Sequence, residues 1–150
     1  MKKHLLAIAV TALAAGSAFA QATDTLAKIK ASGSVTMGVR ESSGALAYTL
    51  GNGKYVGFHT EMSERILADI QKQLGLAKLD IKYQPVTSQN RIPLVTNGTV
   101  DLECGSTTND ATRQKDVAFA INTYIEEVRI ATKANSGITS IKDLNGKIRQ

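Results

Sequence analysis

The sequence predicts an α/β protein in which helices cover the faces of a sheet, and three observations carry that prediction. Segments 34–39, 79–86 and 100–104 alternate apolar and polar residues, as strands do. Residues 60–74 instead repeat their apolar side chains at helical spacing. The order along the chain is helix, strand, hairpin, helix, strand, helix, strand, a sequence of elements that builds a layered sheet rather than a bundle or a sandwich.

Each element has its own local cause. Leu26 and Ile29 stand at helical spacing behind Asp24 as a cap, and Gly33 ends the segment. Val35, Met37 and Val39 share one face of a strand over Ser34 to Val39. Residues 47–57 read as a hairpin whose turn, Gly51-Asn52-Gly53, tolerates positive φ. Met62, Ile66, Ile70 and Leu74 recur every four residues with Leu67 beside them, so 60–74 is expected to be a helix with that stripe in the core and Gly75 as its cap. Leu79 to Val86 is a second strand. Ser88 to Asn97 is a short helix, and Pro93, tolerated only in a first turn, moves its start toward Asn90. Val100 to Cys104 is a third strand. Thr107 and Asp110 stand at capping-box spacing ahead of a helix over Ala111 to Lys115. Segments 118–122 and 124–132 read as extended, and Ser140 to Leu144 as one helical turn closed by Asn145-Gly146.

The first twenty residues set the compartment. Lys2 and Lys3 precede an apolar run from Leu5 to Ala15 and the small-residue tripeptide Ala18-Phe19-Ala20, the pattern of a secretory signal cleaved before Gln21. The run is well short of the ~20 apolar residues that cross a bilayer. No Cys lies near the cleavage point, so the product is expected free in a periplasm and not as a lipoprotein. Without the leader, sixteen Lys and Arg face thirteen Asp and Glu. This mild and dispersed surplus is no nucleic-acid footprint, but it suits a small anionic ligand. The lone Cys104 is expected to be buried or to have a partner beyond residue 150. The chain stops where a new strand would begin, and it is expected to be a truncated product.

Three strand ends run into Ser/Thr-rich segments with an arginine close by. These are Arg40 to Ser43, Thr87 to Arg91, and Ser106 to Thr108 with Arg113. Ligands of open α/β sheets sit beyond the carboxyl ends of strands, where hydroxyls, backbone N–H groups and guanidinium groups form a carboxylate site. Taken alone, each cluster reads first as an ordinary helix cap beside a solvated arginine, and the spacing by itself is not diagnostic. Enzymatic chemistry has little to draw on: His4 leaves with the leader, His59 stands alone, and the carboxylates of Glu126 and Glu127 would point to opposite faces of a strand. No metal site and no cofactor are expected.

The runs LAKIKASG (26–33), GVRESS (38–43), TSQNRIPL (87–94) and DLECGSTTN (101–109) with Arg113 resemble the periplasmic amino-acid-binding proteins of the family 3 solute-binding class, glutamate/aspartate branch. The resemblance implies a periplasmic-binding-protein type II fold, a two-lobed Venus flytrap, here with most of the first segment of lobe 1 (21–123) and the start of lobe 2 (124–150) behind the signal peptide (1–20). It implies that Arg113 pairs with the ligand's α-carboxylate, that Thr108 donates to that group, and that Ser106 accepts from the α-amino group. Arg40, Ser88 and Arg91 would surround a side-chain carboxylate. The partners implied are an acidic L-amino acid and the permease of an ABC transporter, with closure near Thr123 to Glu127 and the protein a monomer. Glutamine binding, or an enzyme on the same scaffold such as a cyclohexadienyl dehydratase or a transglycosylase with an amino-acid-binding domain, stands as the alternative. Ala45-Leu46 and His59 depart from the family pattern at the first hairpin and just after it.

Overall fold

The structure, a computed structural model, describes residues 24–127 and 129–146, so the signal-peptide reading lies outside the described residues. The chain separates into two units, one ending at Ala118 and the other beginning at Phe119.

In the first unit, helix α1 (Thr25–Ser32) begins where the Asp24 carboxylate accepts the backbone N–H of Leu26 and Ala27, and it ends at Gly33 in the left-handed conformation. Strand β1 (Ser34–Val39) follows directly. A hairpin of β2 (Tyr48–Gly51) and β3 (Lys54–Val56) turns through Asn52 and Gly53, both at positive φ. Helix α2 (Phe58–Gln73), strand β4 (Asp80–Pro85), helix α3 (Arg91–Thr96) and the short strand β5 (Leu102–Glu103) complete the unit. The sheet order is β4-β1-β5, and both pairings of β1 are parallel. Both crossovers run through a helix, as parallel strands require. All three strands therefore end at the same edge of the sheet.

The core gathers Val35, Met37 and Val39 from β1 with Ile29 of α1, Leu67 of α2 and Leu79. Strand β1 is covered on its other face too. A side chain at Gly38 would lie 3.0 Å from Val100 Cγ1 and 3.2 Å from Glu103 Cγ, so any larger residue there would push those side chains back.

Four expectations are corrected. The stripe in α2 runs through His59, Thr60, Ser63 and Leu67, all buried, while Ile66 is exposed. Ile70 and Leu74 of the expected stripe do pack against the core, because a four-residue repeat advances ~40° per step around a 3.6-residue helix and reaches the core face only after Ile66. The third strand is shorter than 100–104, because the Asp101 carboxylate, rather than a strand carbonyl, receives the Thr36 N–H at 2.9 Å. The helix expected over 111–115 is one 3₁₀ turn, Arg113–Lys115. Its cap is Asp110, which accepts from Thr112 N and Arg113 N, whereas Thr107 donates its hydroxyl to Glu103. The described residues of 118–122 and 124–132 form no strand. Extended residues become a strand only where another edge pairs with them, and no described segment does so.

In the second unit, the turn Ile141–Leu144 forms behind Ser140, with a reciprocal capping box between Ser140 and Asp143. Ile121, Tyr124, Ile125, Ile130 and Ile141 are exposed.

Candidate functional site

The parallel sheet delivers the three arginine-bearing segments to one edge. Behind β1, the chain from Glu41 to Ala47 folds back on the hairpin: Ser43 N donates to Ala47 O at 2.8 Å and Thr49 N to Glu41 O at 3.3 Å. This return fixes Ser43. Arg40 donates from Nε to Ser43 Oγ at 3.1 Å and from Nη1 to the Val86 carbonyl at 2.9 Å, tying the end of β1 to the end of β4. Behind β4, Thr87 and Asn90 exchange bonds, Asn90 Oδ1 accepting from Thr87 N at 2.7 Å and Thr87 Oγ1 from Asn90 N at 3.2 Å. That closed turn starts α3 and sets the direction of Arg91.

Arg91 is 5 % exposed. Its Nη2 donates to the Ser106 carbonyl at 3.5 Å, a long bond, and its Nε and Nη1 are buried with no hydrogen-bond partner among the described residues. Burial pulls the guanidinium pKa below its ordinary value; the Glu103 carboxylate opposes that fall, and the charges of Arg40 and Arg113 add to it. Arg91 stays protonated, because no protein environment deprotonates arginine near neutrality. Three guanidinium groups thus share one field at this edge.

Ser106 stands between the first two segments, its Oγ 3.4 Å from Ser43 Oγ. Arg113 folds back on its own loop, donating from Nη1 to the Thr108 carbonyl at 2.9 Å, with Asp110 Oδ2 at 3.4 Å. The Asp110 oxygen occupies the N–H groups at the start of the turn, and Thr108 lies outside that turn with an exposed side chain. Of the six residues named from the sequence, Arg91 bonds Ser106 directly and Arg40 reaches Ser106 through Ser43. Arg113 and Thr108 form a neighbouring pair, coupled to Arg91 through charge. Ser88 is exposed in the turn before α3, and no bond links it to the others.

Two residues emerge that sequence reasoning missed. Glu103, taken as the solvent side of a strand, lays its stem over Gly38 and accepts the Thr107 hydroxyl on Oε2 at 2.9 Å. A side chain at Gly105 would lie 2.4 Å from Glu103 Oε1 and 2.8 Å from Arg40 Cγ, so this glycine lets the carboxylate lie beside Arg40. His59 is 2 % exposed; burial lowers its pKa and the Glu103 carboxylate opposes the shift. The signal available for Glu103 was its place between Gly38 and the arginines in a parallel register, which the sequence does not print. Cys104 is a half-buried free thiol whose pKa is pushed up by burial, with a Ser63 hydrogen bond opposing and the Glu103 charge adding to the rise. A buried thiol of that kind is a poor nucleophile. Among the described residues, no group of three or more His, Cys, Asp or Glu could hold a metal ion.

A parallel α/β core that gathers arginines and hydroxyls beyond the carboxyl ends of its strands has the arrangement in which open α/β sheets place small-molecule sites. Residues 35–148 match the bacterial extracellular solute-binding proteins, family 3, and the chain belongs to that family. It is similar to the L-glutamate/L-aspartate-binding protein of Pseudomonas aeruginosa, 41 % identical over 94 % of this chain and 47 % of that one. It is equally similar to the glutamate/aspartate import solute-binding protein of Salmonella typhimurium, 41 % identical over 98 % of this chain and 50 % of that one. Among solved structures, the solute receptor for L-cysteine of Neisseria gonorrhoeae aligns at a TM-score of 0.55 and 27 % identity, over 64 % of this chain and 37 % of that one. The fold is that of the type II periplasmic-binding proteins. The chain spans about half the length of the curated relatives it matches.

Proposed function

We propose that the whole protein is the periplasmic solute-binding component of an amino-acid ABC transporter and captures L-glutamate or L-aspartate for import. The observation that carries the reading is the convergence of Arg40, Arg91 and Arg113 at the carboxyl edge of the sheet, with Arg91 buried within the field of the other two. A site of this charge favours a ligand with two carboxylates over one with a single carboxylate. Relatives that bear glutamate/aspartate-binding names, at 41 % identity, support the same ligand class.

In this reading Arg113 releases its own Thr108 carbonyl and pairs with the ligand's α-carboxylate, a bidentate geometry that the planar guanidinium suits. Thr108 donates to the same group and Ser106 accepts from the α-amino group. Arg40 and Ser88 meet the side-chain carboxylate, with Arg91 beneath them. A neutral side chain leaves the surplus positive charge of the cluster unmatched, and this basis of rejection costs several kcal/mol when the groups are desolvated. The chemistry is capture and not catalysis, and neither a cofactor nor a metal takes part. Export by a leader cleaved near Ala20, a free monomer in the periplasm and delivery to an inner-membrane permease complete the proposal.

Titration calorimetry on the whole protein tests it. Arg113→Ala is expected to weaken L-glutamate binding by roughly 3 kcal/mol or more, about a hundredfold or greater. An unchanged affinity would remove Arg113 from the site.

A further inference from the structure

Glu103 is an anomaly in a site built to bind anions. Its carboxylate sits on β5 at the same sheet edge as the arginines, its stem packed over Gly38 and one oxygen held by Thr107. The other oxygen, Oε1, is buried with no hydrogen-bond partner among the described residues. The Arg91 guanidinium, within electrostatic reach of that carboxylate, keeps two buried donors with no hydrogen-bond partner among the described residues. Orphaned donors and an orphaned acceptor in one cluster each carry a desolvation cost, which opposite charge offsets through space. Arg40 touches the same place, its Cγ and Glu103 Oε1 both flanking the position that a Gly105 side chain would fill.

We infer that Glu103 is the internal counter-charge of the arginine cluster and a specificity-determining residue. It stabilises the ligand-free site by holding the buried Arg91 charge, and it lowers the net positive field that an incoming side-chain carboxylate meets. The selectivity half of this inference rests on the reading of an acidic ligand given above; the coupling to Arg91 does not. Two consequences separate Glu103 from a packing residue. Its loss harms the free protein only while Arg91 is charged, and it changes the affinity for charged and neutral ligands unequally.

The test uses the whole protein and Glu103→Gln, which keeps an acceptor for Thr107 and removes the charge. In thermal unfolding without ligand, E103Q is expected to lower Tm by at least about 3 °C more when Arg91 is present than in an Arg91→Met background. Equal losses in both backgrounds would overturn the counter-charge. Were E103Q not to fold alone, a folded E103Q/R91M protein would support the inference and an unfolded one would overturn it. In calorimetry, E103Q is expected to raise the ratio of L-glutamate to L-glutamine affinity at least about fivefold, the scale of one unit charge removed at partly buried distances. Equal shifts for both ligands would reduce Glu103 to packing. If the unaltered protein binds no acidic amino acid, the ligand reading falls, while the Tm comparison still decides the counter-charge.

Discussion

Replacing Asp101 by alanine is expected to destabilise the first unit by about 2–4 kcal/mol. The side chain is 3 % exposed; Oδ1 receives Lys28 Nζ at 2.7 Å and Oδ2 the Thr36 N–H at 2.9 Å. Alanine leaves the Thr36 N–H inside the sheet without an acceptor, a loss of about 1–3 kcal/mol, and removes a charge-assisted bond. Lys28 is 39 % exposed, so its ammonium turns to water and the ion pair adds only about 1 kcal/mol. Asp101→Asn keeps an acceptor for Thr36 and should cost about 1–2 kcal/mol, less than alanine. Lys28→Met should cost about 1 kcal/mol or less. Denaturant unfolding of the three variants, with unchanged slope, measures these differences. Equal losses for Asn and Ala would refute the reasoning, because they would mean that the Thr36 bond contributes nothing. The contact matters for the site because β5 joins β1 at only two residue pairs, Met37 with Leu102 and Gly38 with Glu103. Asp101 is the clamp that holds the loop bearing Ser106 against the sheet edge.

Gly57→Ala is expected to cost about 3 kcal/mol or more, since φ is 122° there and the added carbon would lie 2.7 Å from the Leu46 carbonyl oxygen, a backbone atom; a melting temperature within a degree of the parent would contradict it. Tyr83 should ionise only at about 12, raised by burial and by its 2.7 Å bond to Glu64. With the folded pKa above the unfolded one, its contribution to stability is present below pH ~10 and is lost as pH rises toward the folded value. A difference titration against Tyr83→Phe, read by tyrosinate absorbance, checks this, and Glu64→Gln should bring the midpoint down.

The parts of the fold that local chemistry dictates were legible in the sequence. Asp24 and Gly33 bracket α1, the alternation over Ser34 to Val39 sets β1, and Gly51 to Gly53 turn the hairpin. What failed turned on helix phase, competing partners and strand register, none of which the residue pattern displays. Ile66 fits an apolar stripe read every four residues, yet the true helical period turns it outward. Thr107 matches a capping box, but its hydroxyl is taken by Glu103, four residues earlier, and Asp110 caps the turn instead. The arginines were identified as a set, but which one is buried follows from the register of β5 on β1 and from the Thr87–Asn90 turn that directs Arg91 inward. Glu103 escaped notice for the same reason. An acidic residue in an alternating strand reads as solvent-facing until the strand is found beside a glycine and beneath a cationic cluster.

Calorimetric competition on the whole protein among L-glutamate, L-aspartate, L-glutamine and L-arginine addresses the ligand class with least inference. The three-guanidinium edge predicts that glutamate or aspartate binds tightest, with glutamine weaker by at least about a hundredfold and arginine undetected. Preferential binding of glutamine or arginine would contradict the account.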